Sequence, residues 1–219
     1  MVEVSAHQIL SSGASQTALS PMQDDAHVKD AFLVFRSMCK LSVKNVSPEG
    51  AADLRSTPMR SKLLTLQVIL DILRSHMHIF VSPEYVLYFG SSESTTFIQA
   101  TKQYLCYTLS RNAFSTVTEV FETSIAIFAC MNQNLRGLLK KEIEVFLNEM
   151  VIHILELKTA RPSQKEFLLS TIIGPMCRDS RSLVEIYLNY DCDPRSMTNI
   201  YERYVTHIRS FGISPDRAW

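Results

Sequence analysis

Apolar residues recur at three- and four-residue steps through most of this sequence, the period of a helix that buries one face. Ala31, Phe32, Phe35, Met38 and Cys39 form the first such stripe, widened by Val34 and Leu41, and predict a helix over 24–42. The stretch 44–57 holds Pro48 and Gly50 among polar residues and reads as a loop. Thr57 is placed to cap a second helix, with Pro58 at its first position, where the missing N–H costs nothing. Leu66, Ile69, Leu70, Leu73 and Met77 carry that helix to about Phe80. Residues 81–92 combine Pro83 and Gly90 with Tyr85, Tyr88 and Phe89, so this loop either packs down or offers an apolar patch. Packing down is the reading taken.

A third helix is expected over 93–111, burying Phe97, Ile98, Tyr104, Leu105 and Leu109. A fourth over 115–132 has an almost wholly apolar stripe (Val117, Val120, Phe121, Ile125, Phe128) and belongs at the centre. A fifth over 135–157 places Leu135, Leu138, Leu139, Ile143, Phe146, Met150 and Ile154 at regular steps. After Pro162 a sixth runs from about Ser163 toward Arg178, and Gly174-Pro175 should kink or end it. A short seventh covers 182–189, and Asp193-Pro194 reads as a cap and first-position pair opening a last helix to about Phe211. Short links between long amphipathic helices favour antiparallel neighbours. The expected fold is therefore all-α, a stack of antiparallel helices forming a solenoid of the armadillo or HEAT type, although no repeat of about 40 residues is visible. The expected organisation is a flexible lead-in over 1–23, a helical domain over 24–212 and a flexible tail over 213–219.

The 219 residues are 46% hydrophobic and 20% charged, a composition that folds rather than one that stays disordered. Lys+Arg and Asp+Glu both number 22, so no net field draws in nucleic acid. Zero net charge also protects poorly against self-association. The five cysteines (Cys39, Cys106, Cys130, Cys177, Cys192) are odd in number and contain no C-x-x-C pair, so reduced thiols of an intracellular protein are expected. No apolar run reaches the roughly 18 residues of a membrane span, and the start lacks the regions of a signal peptide; a soluble, cytosolic chain is expected.

Catalytic signatures are absent. There is no phosphate loop, G-x-G-x-x-G, H-E-x-x-H or G-x-S-x-G, and six glycines give little material for a backbone cradle; no catalytic residue, cofactor or metal is expected. His76 and His78, two apart on a helix, point to different faces and do not easily share a metal. Lys140, Lys141, Glu142 and Glu144 lie opposite the apolar stripe of the fifth helix and read as a solvated face, with Lys140 and Glu144 as an i,i+4 pair and a partner groove as the other reading. Asn189, Tyr190, Asp191, Cys192 and Asp193 concentrate hydrogen-bonding groups between two helices. A nucleophilic Cys192 is the weaker reading, because flanking carboxylates raise a thiol pKa. The other reading has Asp191 and Asp193 capping helix ends while Cys192 packs inward.

Asn189-Tyr190-Asp191-Cys192-Asp193 also resembles the box that marks the homology-upstream-of-Sec-seven (HUS) region of the large guanine-nucleotide exchange factors for Arf GTPases. Other stretches in the same order resemble that family: 29–42 (KDAFLVFRSMCKLS), Leu54-Arg55-Ser56, 100–106 (ATKQYLC), Val120-Phe121-Glu122, 142–147 (EIEVFL), Ile154-Leu155-Glu156 and Ile200-Tyr201-Glu202-Arg203. The resemblance spans about Val28 to Ser210 and points to the BIG and Sec-seven branch that works at the trans-Golgi. It departs in that 81–93 looks longer, Gly174-Pro175 stands where an unbroken helix is expected, and no match appears to the family's dimerisation and cyclophilin-binding (DCB) domain or its catalytic Sec-seven domain.

The resemblance implies a non-catalytic regulatory scaffold that pairs with the DCB domain and positions or regulates the Sec-seven domain in trans-Golgi vesicle transport. It also implies contact with Arf-family or Rab-type small GTPases, peripheral association with Golgi and trans-Golgi network membranes from the cytoplasm, and room for a homodimer of the full-length protein. The rival expectation is an autonomous effector surface that binds an activated small GTPase for membrane recruitment. Asn189 and Asp191 are expected to tie the turn by backbone hydrogen bonds and so fix a surface that another domain reads.

Overall fold

The computed structural model describes residues 21–45, 55–89 and 93–210, and within them the chain is a stack of helices with one two-stranded hairpin. Helix α1 is Pro21–Ser42 and α2 is Thr57–Ser75. A single turn, α3 (Met77–Val81), precedes strands β1 (Val86–Phe89) and β2 (Glu93–Thr96). Then come α4 (Phe97–Asn112), α5 (Thr118–Asn134) and α6 (Lys140–Phe146), the last continued through a π-helical stretch, Leu147–Ile152, into His153–Glu156. Helix α7 runs in the same way from Pro162–Leu168 through Leu169–Ile173 to Gly174–Arg178. Helix α8 is Ser180–Ile186 with a π-helical end, Tyr187–Asp191, and α9 is Ile200–Ser210.

The core follows the expected stripes except at Ala31, Val34 and Leu138, which are exposed. Phe32, Phe35 and Cys39 of α1 are buried with Leu66, Ile69, Leu70 and Leu73 of α2. Val120, Phe121, Ile125 and Phe128 of α5 are buried, as a central helix requires. Phe80 joins two layers, with its ring edge-on to Phe35 at 5.2 Å and to Phe97 at 5.1 Å, a geometry that adds to the area buried. No described helix is long and apolar enough to cross a membrane.

Several expected boundaries are corrected. Pro21 to Gln23, assigned to the lead-in, are helical; 1–20, the tail 213–219 and most of the 44–57 loop lie outside the described residues. Thr57 is the first residue of α2 rather than its cap. That helix stops at His76, where φ is −127°, and a separate turn carries Phe80. Residues 93–96 are a strand, not the start of a helix, because Thr95 and Thr96 are β-branched and lie opposite a strand that contains the β-favouring Val86, Tyr88 and Phe89. The hairpin satisfies both readings of its segment: Leu87 is buried while Tyr88 and Phe89 stay exposed.

Helix α6 begins at Lys140 rather than Leu135, since 135–139 form a turn through Gly137 in which Leu135 accepts from the N–H groups of Leu138 and Leu139. Gly174-Pro175 neither ends nor interrupts α7. The Gly174 N–H reaches the Leu169 carbonyl, five residues back, and this widened turn makes room ahead of the proline ring that would collide with a normal helical turn. A side chain at 174 would meet that carbonyl at 3.1 Å, so glycine suits the position. The last helix starts at Ile200, not at Pro194.

Candidate functional site

The box residues sit where α8 winds open into its π turn and the chain descends to α9. Cys192 ends the turn, its N–H bonded to the Tyr187 carbonyl at 3.0 Å. The wide turn rotates Tyr190 inward, where it is fully buried, and its hydroxyl donates to the Lys140 carbonyl at 3.1 Å. Burial, with Glu144 nearby, holds the Tyr190 phenol well above its ordinary range, so it remains a neutral donor.

Asp191 faces the other way. Its two carboxylate oxygens accept the N–H of Tyr201 at 2.9 Å and of Glu202 at 3.1 Å, which are otherwise orphaned donors in the first turn of α9. Asp193 accepts from Lys140 Nζ at 2.7 Å and from the Arg195 N–H at 2.9 Å. The Lys140 bond, seconded by the Arg195 amide, pulls its carboxyl down to about 2. Asp193 therefore shapes the turn before α9, and Ser196 closes that turn by donating its N–H to the Asp193 carbonyl.

Two expectations about the box are corrected. Cys192 is exposed rather than packed inward; the π turn brings Tyr190, not Cys192, to the core. Asn189 is half-buried, and its side chain makes no hydrogen bond among the described residues, so Asp191 ties the corner without it.

Of the charged run on α6 only Lys141 is exposed; Lys140, Glu142 and Glu144 are part-buried or buried and meet other elements. Lys140 serves the box, as above, instead of pairing with Glu144. Glu144 is buried and accepts from Ser196 Oγ at 2.7 Å and from the Met197 N–H, holding the turn from below. Glu142 pairs with Lys102 of α4 at 2.9 Å. Beyond the turn, Arg203 of α9 bonds to Asn148 and to Glu156 at 2.7 Å, and the His207 ring approaches the same Glu156 at 3.2 Å. The Arg203 hydrogen bond, more than any other contact, lowers the Glu156 carboxyl. A reading of the sequence does not pick out Lys140, Glu144, Asn148 and Glu156 as site residues, because their partners lie about fifty residues away. Their one sequence signal is the four-residue spacing that sets them along one line of the helix.

Elsewhere, the His76 and His78 rings stand 6.1 Å apart and are exposed, and no group of three or more metal-ligating side chains occurs among the described residues. Beside the box, Val184, Tyr187 and Leu188 of α8 are 56%, 47% and 58% exposed, three and four residues apart, as on one helical face. The Tyr187 ring is edge-on to Tyr201 at 5.6 Å.

The family model described as the HUS domain of Mon2/Sec7/BIG1-like proteins matches residues 27–200. Brefeldin A-inhibited guanine nucleotide-exchange protein 1 of Bos taurus is 43% identical over 209 residues, which are 94% of this chain and 10% of that protein. The ADP-ribosylation factor guanine nucleotide-exchange factor sec72 of Schizosaccharomyces pombe is 42% identical over 188 residues, 84% of this chain and 10% of that protein. The corresponding factor SEC7 of Saccharomyces cerevisiae is 42% identical over 190 residues, 87% and 9%. The chain thus spans about a tenth of the length of the curated relatives it matches.

Proposed function

This chain belongs to the HUS domain family of Mon2/Sec7/BIG1-like proteins, and from that membership we propose that it is a non-catalytic scaffold within an Arf guanine-nucleotide exchange factor. In this reading the helical domain over 24–212 pairs with the DCB domain, positions or regulates the Sec-seven domain, and works in vesicle transport at the cytoplasmic face of the trans-Golgi network. The observation that carries it is the use made of the box. Tyr190, Asp191 and Asp193 all hold one corner of the stack in place through bonds to α6 and α9. The exposed Val184, Tyr187 and Leu188 are thereby presented on a fixed frame, which is what a surface read by another domain needs.

The same strip supports a second reading, direct capture of an activated Arf- or Rab-type GTPase without help from a neighbouring domain. A nucleotide-exchange assay on Arf separates scaffold from catalyst. The chain alone is expected to leave exchange at its spontaneous rate and to alter the rate of an added Sec-seven domain. Acceleration by the chain alone would overturn the proposal. Binding to GTP-loaded but not GDP-loaded GTPase, with no DCB domain present, would shift the assignment to the second reading.

A further inference from the structure

Among the described residues several part-buried cations meet a carboxylate: Lys102 meets Glu142, Lys140 meets Asp193, Arg203 meets Glu156 and Arg136 meets Glu185. Lys165 instead meets the Leu155 carbonyl and Arg36 the Tyr104 ring, and one cluster of cations likewise has no described carboxylate beside it. Where the end of α1 and the end of α4 approach the start of α5, an open pocket of about 230 Å³ is lined by Lys44, Lys62, Arg111, Asn112, Ser115 and Thr116, among others, with no carboxylate among the described residues that line it.

Lys62 is half-buried there, and its ammonium donates to the Ser42 carbonyl at 2.7 Å and to Asn112 Oδ1 at 3.0 Å, both neutral oxygens. Two of its three donors are thus engaged, and among the described residues no carboxylate pairs with its charge in this partly desolvated place. Burial, and after it the charge of Arg111, lowers its pKa, as expected for a cation held beside a cation. Arg111 is exposed, and among the described residues its one hydrogen bond is a long one from Nη2 to Asn45 Oδ1 at 3.4 Å, which leaves the other donors of its fork open to the pocket and solvent. In a chain with zero net charge, three cations around one concavity whose described lining holds no carboxylate are a local departure that a bound anion would relieve.

We propose that this pocket binds a phosphomonoester, free or carried on a lipid headgroup. Three cations lining one pocket from different parts of the chain match the tetrahedral, doubly charged phosphate better than a planar carboxylate, which presents two oxygens in one plane. The Ser115 and Thr116 hydroxyls add neutral donors, and the start of the 17-residue α5 adds the positive end of its dipole. The pocket is open to solvent, so it admits a phosphate attached to a larger group.

The test uses the whole chain in phosphate-free buffer, with inorganic phosphate titrated in while amide shifts are followed by NMR and heats by calorimetry. Saturable binding is expected, with the largest shifts at Asn112, Ser115 and Thr116. Arg111→Gln and Lys44→Gln are each expected to weaken it by about tenfold or more, the worth of one charge-assisted hydrogen bond. Arg181→Gln, a cation outside the pocket, should leave it unchanged. Melting curves check that each variant is folded. Flotation with phosphatidylcholine vesicles, with and without a phosphoinositide monophosphate, identifies the carrier: selective, Arg111-dependent flotation assigns a lipid headgroup, and phosphate binding without it assigns a soluble ligand. No saturable binding of phosphate or of phosphoinositide vesicles, or equal weakening by Arg181→Gln, would overturn the proposal.

Discussion

Asp191 caps a helix that begins nine residues after it: its Oδ2 accepts the Tyr201 N–H at 2.9 Å, and its Oδ1 accepts the next N–H in the same turn. An N-terminal turn is ordinarily capped by the residue just before it. Here the cap is delivered from the end of the preceding helix, so the cap and the crossing of α8 and α9 depend on one side chain.

Replacing Asp191 with alanine should therefore cost more than a local fray. Two charge-assisted bonds to backbone donors are lost, about 1–2 kcal/mol, with a melting temperature lower by roughly 2–8 °C. Asp191→Asn, which keeps one acceptor oxygen, should fall between. Thermal unfolding followed by circular dichroism measures both, and an unchanged alanine variant would show that the cap contributes nothing.

Tyr190 separates shape from hydrogen bonding. Tyr190→Phe keeps the buried ring and leaves the Lys140 carbonyl without this donor, a loss of about 1 kcal/mol. Tyr190→Ala opens a cavity and should cost about 3–5 kcal/mol. Urea unfolding of the pair tests the contrast, and equal losses would contradict a core-filling ring.

Glu144 holds the turn before α9 through Ser196 and the Met197 N–H. Glu144→Ala leaves that amide without its buried acceptor, at a cost of about 1–3 kcal/mol. Hydrogen exchange at Met197 should accelerate much more than exchange at Leu105 in the core. Equal acceleration at both sites would mean global rather than local loosening.

Asp193 sets an acid limit on the corner. Its carboxyl lies at about 2, below the ordinary 3.8, so what its ionised form adds to stability is present above about pH 3.8 and is lost as pH falls through about 2. Carbon-13 titration of the carboxyl should show the low midpoint, and Lys140→Gln should raise it toward the ordinary value. A midpoint unmoved by that substitution would contradict Lys140 as the main cause.

The helical stack was legible because burial repeats along each helix: Phe35, Leu66, Leu105 and Phe128 lie inside as their spacing requires. The hairpin was not, because four residues from Glu93 to Thr96 are too few to show a period-two pattern against the longer helical one that follows. Continuity through Gly174-Pro175 was hidden for a different reason. A proline signals a missing donor, but the widened turn that absorbs it is formed by Leu169–Ile173, an ordinary apolar stretch. At the site, Asn189 to Asp193 stood out as a polar cluster, and capping by Asp191 follows from its chemistry. Its partners on α6 did not, since Lys140 and Glu144 lie 50 to 53 residues away from the groups they hold, and a charged run on one helix looks the same whether water or another helix covers it.

That the corner exists to present a surface to a neighbouring domain is tested most directly by calorimetric titration of this chain with the separately expressed DCB domain. Asp191→Ala and a Tyr187→Ala/Leu188→Ala variant would be measured beside the parent chain. Tight binding by the parent is expected, weakened at least tenfold in both variants while the second keeps its melting temperature. Absence of binding by the parent, or full binding by a folded Tyr187→Ala/Leu188→Ala chain, would contradict it.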